Sequence, residues 1–199
     1  GRIEAFSDGV YAIAITLLIL EIKIPSRGAG PLGTLLLRQW PQFFAYVLSF
    51  AFIGIMWINH HRLFGHIRKA DNGLMLYNLL LLFGVCAVPF PTALLAQFLE
   101  TPDRKVAALI FNGTYVVIAV FFNALWHHAL RRGLLDRETH DQAEGITRQY
   151  AYGPVMYVVV AVIGWFSVAA SLVLQVVLAL FFAMPPQRIA GREAAASSR

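Results

Sequence analysis

Long apolar runs separated by short charged clusters set the pattern of this chain. No Asp, Glu, Lys or Arg occurs in residues 39–61, 72–99, 106–130 or 149–187. Each run exceeds the roughly 20 residues an α-helix needs to cross a hydrocarbon core of about 30 Å. The last run is too long for one crossing, since as a single helix it would reach about 58 Å. It predicts a hairpin that turns near Gly164–Ser171, "GWFSVAAS". The first apolar segment differs from the rest. Within "RIEAFSDGVYAIAITLLILEIKIP" only residues 9–20 are free of charge, about 18 Å of helix. With that segment the pattern predicts an all-α membrane protein of six transmembrane helices, at 3–24, 39–61, 72–98, 105–130, 149–167 and 169–185. Pro89 and Pro91 predict a kink or early unwinding in the third helix.

The connections carry little else. Residues 25–38, rich in Gly and Pro, read as an irregular outer loop, and 131–148 as a solvated link carrying both charge signs. The division is a six-helix transmembrane domain over 1–187 and a short polar tail over 188–199, with no soluble domain. Of the 199 residues 58% are hydrophobic and 14% charged; soluble domains carry about a quarter charged residues. The first segment opens with Arg2, Glu4 and Asp8 and lacks a small-residue cleavage site, so it does not read as a signal peptide. Cys86 stands alone and no intrachain disulfide is available.

Charge placement gives an orientation. With the N-terminus cytoplasmic, Arg2, Arg62, Arg68, Lys69, Arg131, Arg132, Arg137, Arg148, Arg188, Arg192 and Arg199 fall inside. Only Lys23, Arg27, Arg38, Arg104 and Lys105 fall outside. The positive-inside rule therefore predicts cytoplasmic N- and C-termini. It also makes the net charge of +5 a topology signal rather than a nucleic-acid footprint.

On a helix, Phe6, Val10, Ile13, Leu17, Leu20 and Ile24 form one apolar stripe, with Thr16 beside it. Such a stripe is ordinarily helix packing. Two features argue for more. Asp8 is ionisable within a spanning segment, where such groups face protein or water. Charges also bracket this helix at both ends, which suits a pore-lining or bundle-centre position better than a lipid-facing one.

The string Arg2-x-x-x-Phe6-Ser7-Asp8 followed by "GVYAIAITLLILEI" resembles the signature of the transmembrane protein 175 potassium-channel family, in its bacterial single-repeat form. The stretches "WINHHRLF" (57–64) and "VPFPTALL" (88–95) are similar to that family too, so the likeness spans essentially the whole chain. The resemblance implies a homotetramer in the bacterial plasma membrane, with the first helix of each copy lining a central pore. It implies conduction of K+, with other monovalent cations as further candidates, and no bound cofactor. By motif position, Ile13 becomes the main constriction, Leu17 and Leu20 further apolar rings, and Thr16 a polar layer. No Thr-Val-Gly-Tyr-Gly-like loop offers a carbonyl filter.

Arg2, Phe6, Ser7 and Asp8 read as ties between helices, with attraction of cations by Asp8 as the other possibility. Trp57, Asn59 and His60 are candidate partners in that network. His60 and His61 point about 100° apart and do not form a chelating pair, and no zinc-type ligand set occurs. His127 and His128 end the fourth helix, where cations suit a helix C-terminus. No phosphate loop, nucleophile elbow or deep carboxylate pair supports an enzyme. The competing class is a small proton-coupled secondary transporter using Asp8 and His60, although internal repeats and broken helices are not visible.

Overall fold

The computed structural model describes residues 1–26, 28 and 30–183, apart from the side chains of 137–146, 148 and 149. The proposed 188–199 tail lies outside the described residues. Among those described, the chain folds entirely into helices joined by short links: α1 (Arg2–Leu17), α2 (Leu32–Arg38), α3 (Trp40–Gly65), α4 (Asn72–Ala87), α5 (Pro89–Phe98), α6 (Arg104–Arg131), α7 (Arg137–Phe166) and α8 (Val168–Ala183). Four stretches are long and apolar enough to cross a membrane: Arg2–Glu21, Trp40–Gly65, Asn72–Phe98 and Arg104–Arg131. Tyr150–Phe166 and Val168–Ala183 are shorter apolar helices.

Three expectations need correction. α1 tightens into a 3₁₀ turn over Leu18–Glu21 and Ile22 is already extended, so the first helix ends short of residue 24. Residues 32–38 are helical rather than irregular, although none of α2 is buried. The charged segment after Gly133 is mostly helix, because α7 begins at Arg137 and runs through it. Charge marks where a bilayer ends, not where a helix ends. Arg, Glu, Gln and Ala are good helix formers, so "RETHDQAEG" continues the helix beyond the apolar part.

The expected breaks have clear local causes. At Val88 the ladder is interrupted before Pro89, which has no N–H to give; α5 resumes as Thr92 N–H donates to the Val88 carbonyl at 3.1 Å. The α7–α8 corner falls at Ser167, inside the anticipated window. Its Oγ accepts the Ala170 N–H at 3.3 Å, capping the start of α8.

One buried cluster holds the bundle together, centred on Phe52, Leu74, Leu81, Phe111, Leu125 and Trp126. A polar clasp joins the start of α4 to the end of α6. Asp71 caps α4 by accepting the Leu74 N–H at 2.7 Å, and it also faces His128 Nε2 at 2.9 Å and Arg132 Nε at 3.5 Å. The Leu74 N–H, then His128, hold the Asp71 carboxyl below its ordinary range. The approach is close enough to require Gly73, since a Cβ there would stand 2.4 Å from His128 Cε1.

Candidate functional site

α1 has two unlike faces. Ser7, Tyr11, Ala14 and Leu18 are 0–1% exposed and pack into the bundle. Phe6, Ile13, Leu17 and Leu20 are 43–63% exposed, and Ala5, Gly9, Ala12 and Thr16 share the open side. Val10, on the same sequence stripe, is half-buried. Only 22% of the most apolar window of this span is buried, against 39–50% in the other three. A single copy of the chain therefore carries α1 at its edge, and the bundle-centre alternative does not describe one subunit.

The buried face is fixed by a directed chain of hydrogen bonds across three helices. Ser7 Oγ donates to the Ile3 carbonyl at 2.9 Å, which leaves its oxygen to accept from Asn78 Nδ2 at 3.0 Å. Asn78 Oδ1 then faces His60 Nε2 at 2.9 Å. With the Asn78 amide nitrogen already donating, that contact requires the proton on His60 Nε2. Among the described residues, His60 Nδ1 is buried without a hydrogen-bond partner. Tyr11 and Phe64 flank the imidazole at ring distances of 5.4 and 4.4 Å.

The remaining motif residues take separate partners. Trp57 Nε1 donates to Asp8 Oδ1 at 2.8 Å, tying α3 to α1. Asn59 turns the other way, donating to the Phe182 carbonyl at 3.0 Å and securing the end of α8. Arg2 is exposed, and the Trp57 indole rather than a guanidinium holds Asp8. His61 Nδ1 lies 3.0 Å from Glu4 Oε1, a further tie between α3 and α1. Thr16 Oγ1 donates to the Ile13 carbonyl at 2.9 Å, so its free lone pairs remain as acceptors on the exposed side.

Asn78 was missed because sequence reasoning weighed polar residues only in the first helix, in the family-like motif stretches and at helix ends. Its signal was available: an amide inside "LMLYNLLLLFG" needs partners once it is buried in a membrane. The same holds for Gln175 and Asn112, whose amides meet at 2.9 Å between α8 and α6. Among the described residues, no three His, Cys, Asp or Glu side chains gather as metal ligands.

Apolar helices of spanning length, joined through buried polar bonds, define an α-helical integral membrane protein. The model of the family described as endosomal/lysosomal potassium channel TMEM175 matches residues 2–89. A potassium channel of Chamaesiphon minutus is 46% identical, covering 92% of this chain and 93% of its own length. One from Streptomyces collinus is 45% identical over 100% of this chain and 98% of its own. The human endosomal/lysosomal proton channel TMEM175 is 38% identical over 65% of this chain, which is 28% of the human protein. The crystal structure of a lysosomal potassium-selective channel TMEM175 homolog from Chamaesiphon minutus superposes with a TM-score of 0.85 at 45% identity, covering 92% of this chain and 95% of that one. The chain belongs to the TMEM175 family, a family of ion channels and not of enzymes.

Proposed function

We propose that this chain is the subunit of a homotetrameric, potassium-favouring cation channel in the bacterial plasma membrane. Each copy contributes six crossings with both termini in the cytoplasm, the α7–α8 hairpin supplying the last two. The observation that carries the reading is the pair of faces on α1: one bonded into its own bundle, the other apolar and left open by its own chain. Four copies that meet along the open faces enclose a passage walled by Phe6, Ile13, Leu17 and Leu20. The names of the two bacterial relatives support potassium as the permeant ion.

In this reading Ile13 forms the narrowest ring, with Leu17 and Leu20 further along and the Thr16 oxygen beside them. A narrow apolar neck holds no stable water, so it closes to ions by dewetting. When it widens, the ion that distorts its hydration shell at lower cost passes more readily. Potassium is the more weakly hydrated of the two common monovalent cations, so preference arises without a ring of carbonyls. Ser7, Asp8, Trp57 and His60 act as scaffold, fixing the angle at which α1 presents Ile13.

The test is K+ flux in liposomes calibrated with valinomycin. Ile13→Asn places an amide at the neck and should raise passive K+ flux at least roughly tenfold, a barrier change of about 1.4 kcal/mol. Unchanged flux in a correctly assembled variant would remove Ile13 from the gate. The carrier alternative gains no support, because Asp8 accepts from Trp57 while His60 faces Asn78.

A further inference from the structure

At the end of the bundle where α1 stops, a groove of about 800 Å³ opens beside the α7–α8 corner. The start of α3 reaches this end because Gln39 Nε2 donates to the Lys23 carbonyl at 2.8 Å. Phe44, Leu99, Phe166, Leu172, Val173 and Val176 make the walls apolar. The rim carries Glu100, Arg104 and Lys105, all exposed. Trp40 closes one side and donates its indole N–H to Glu100 Oε1 at 2.9 Å.

Depth and chemistry agree on the kind of occupant. Charged residues at helix ends beside an interfacial tryptophan mark the level of lipid headgroups, and the walls below run along the apolar start of α8. Among the described residues, neither Arg104 nor Lys105 forms a salt bridge with a carboxylate. Two cations beside an apolar wall suit a phosphate diester with acyl chains, and Arg adds paired N–H donors to that phosphate. Glu100 narrows the choice. An anionic head such as phosphatidylglycerol offers Glu100 only neutral hydroxyls and no opposite charge, and a quaternary ammonium has no N–H to donate to it. A head with both a phosphate and a primary ammonium matches all three side chains.

We propose that this groove binds one aminophospholipid, with its phosphate on Arg104 and Lys105, its ammonium on Glu100, and a chain along Phe44, Leu172 and Val176. The proposal rests on the chain spanning a membrane and is independent of which ion it conducts. It places a headgroup-selective site away from the open face of α1, so the lipid binds without entering the passage.

The experiment is native mass spectrometry of the full-length, detergent-purified protein. The probes are phosphatidylethanolamine, phosphatidylcholine and phosphatidylglycerol with identical chains. Wild type should retain phosphatidylethanolamine at least about fivefold better than either competitor. Glu100→Gln should abolish the preference over phosphatidylglycerol while retaining binding. Arg104→Gln with Lys105→Gln should weaken retention of all three, and Val176→Trp, which fills the groove from a half-open position, should do the same without altering charge. Should the double charge variant misfold, Val176→Trp and Glu100→Gln carry the test alone. Equal retention of the three lipids, or a preference untouched by Glu100→Gln, overturns the proposal. So does efficient disulfide cross-linking of Val173→Cys between subunits, which would make a second copy of this chain the occupant.

Discussion

The two faces of α1 are built on opposite principles. The face carrying Ser7 and Tyr11 is buried and bonded: the Ser7 hydroxyl belongs to a chain of donors and acceptors reaching through Asn78 to His60. The face carrying Ile13 and Leu20 is bulky and apolar, and its own chain leaves it open. In a membrane, apolar surface gains little by leaving lipid, so polar bonds and close packing decide which side of a helix its bundle holds. The bonded face thus sets the position of α1, and the open face is released to serve whatever encloses it.

The contrast is most directly broken at Asn78. Asn78→Ala removes the acceptor for His60 and the donor to Ser7 together, and should destabilise the folded subunit by about 1–2 kcal/mol in thermal unfolding. A change near zero would mean that packing alone positions α1. Trp57→Phe deletes the N–H given to Asp8 together with part of the ring stacked on His61, and about 0.6 kcal/mol is expected because the indole sits at a half-open edge. Ile13→Asn, by contrast, should alter thermal stability by less than about 0.5 kcal/mol despite its effect on flux, since Ile13 touches the bundle so little. A large loss of stability there would show that the open face is covered by tight packing between subunits.

A separate effect belongs to the clasp that anchors α4, the helix holding Asn78. Asp71→Ala should lower the melting temperature modestly at neutral pH through loss of the Leu74 cap. The Asp71 carboxyl titrates lower in the fold than in the unfolded chain, so its contribution is present above about pH 4 and fades as pH falls through the folded value. Melting curves of wild type and variant should therefore converge in the acid range. A constant gap down to pH 3 would assign the effect to lost packing instead.

Periodicity and charge were enough to read most of the helices, because a spanning helix must satisfy its backbone internally and needs a fixed apolar length. Residues 39–61 and 106–130 became the centres of α3 and α6 for that reason. The same signal was blind to α2 and to the charged first half of α7, where helix forms without apolar runs. It also registered Asp8 and His60 as candidates but passed over Asn78, the residue that links Ser7 to His60.

By itself the sequence determined that this is an all-helical membrane protein, where its runs begin and end, and which family its first helix belongs to. Those properties follow from transfer free energy summed along a segment and from a motif with fixed spacing. Only the tertiary structure decided which side of α1 is bonded and which is open. The apolar stripe looks the same from either side in sequence, and the choice depends on side chains of α3 and α4 arriving 53 and 71 residues later, His60 and Asn78 relative to Ser7. Hydrogen bonds reach about 3 Å and demand direction. No local pattern encodes such a meeting.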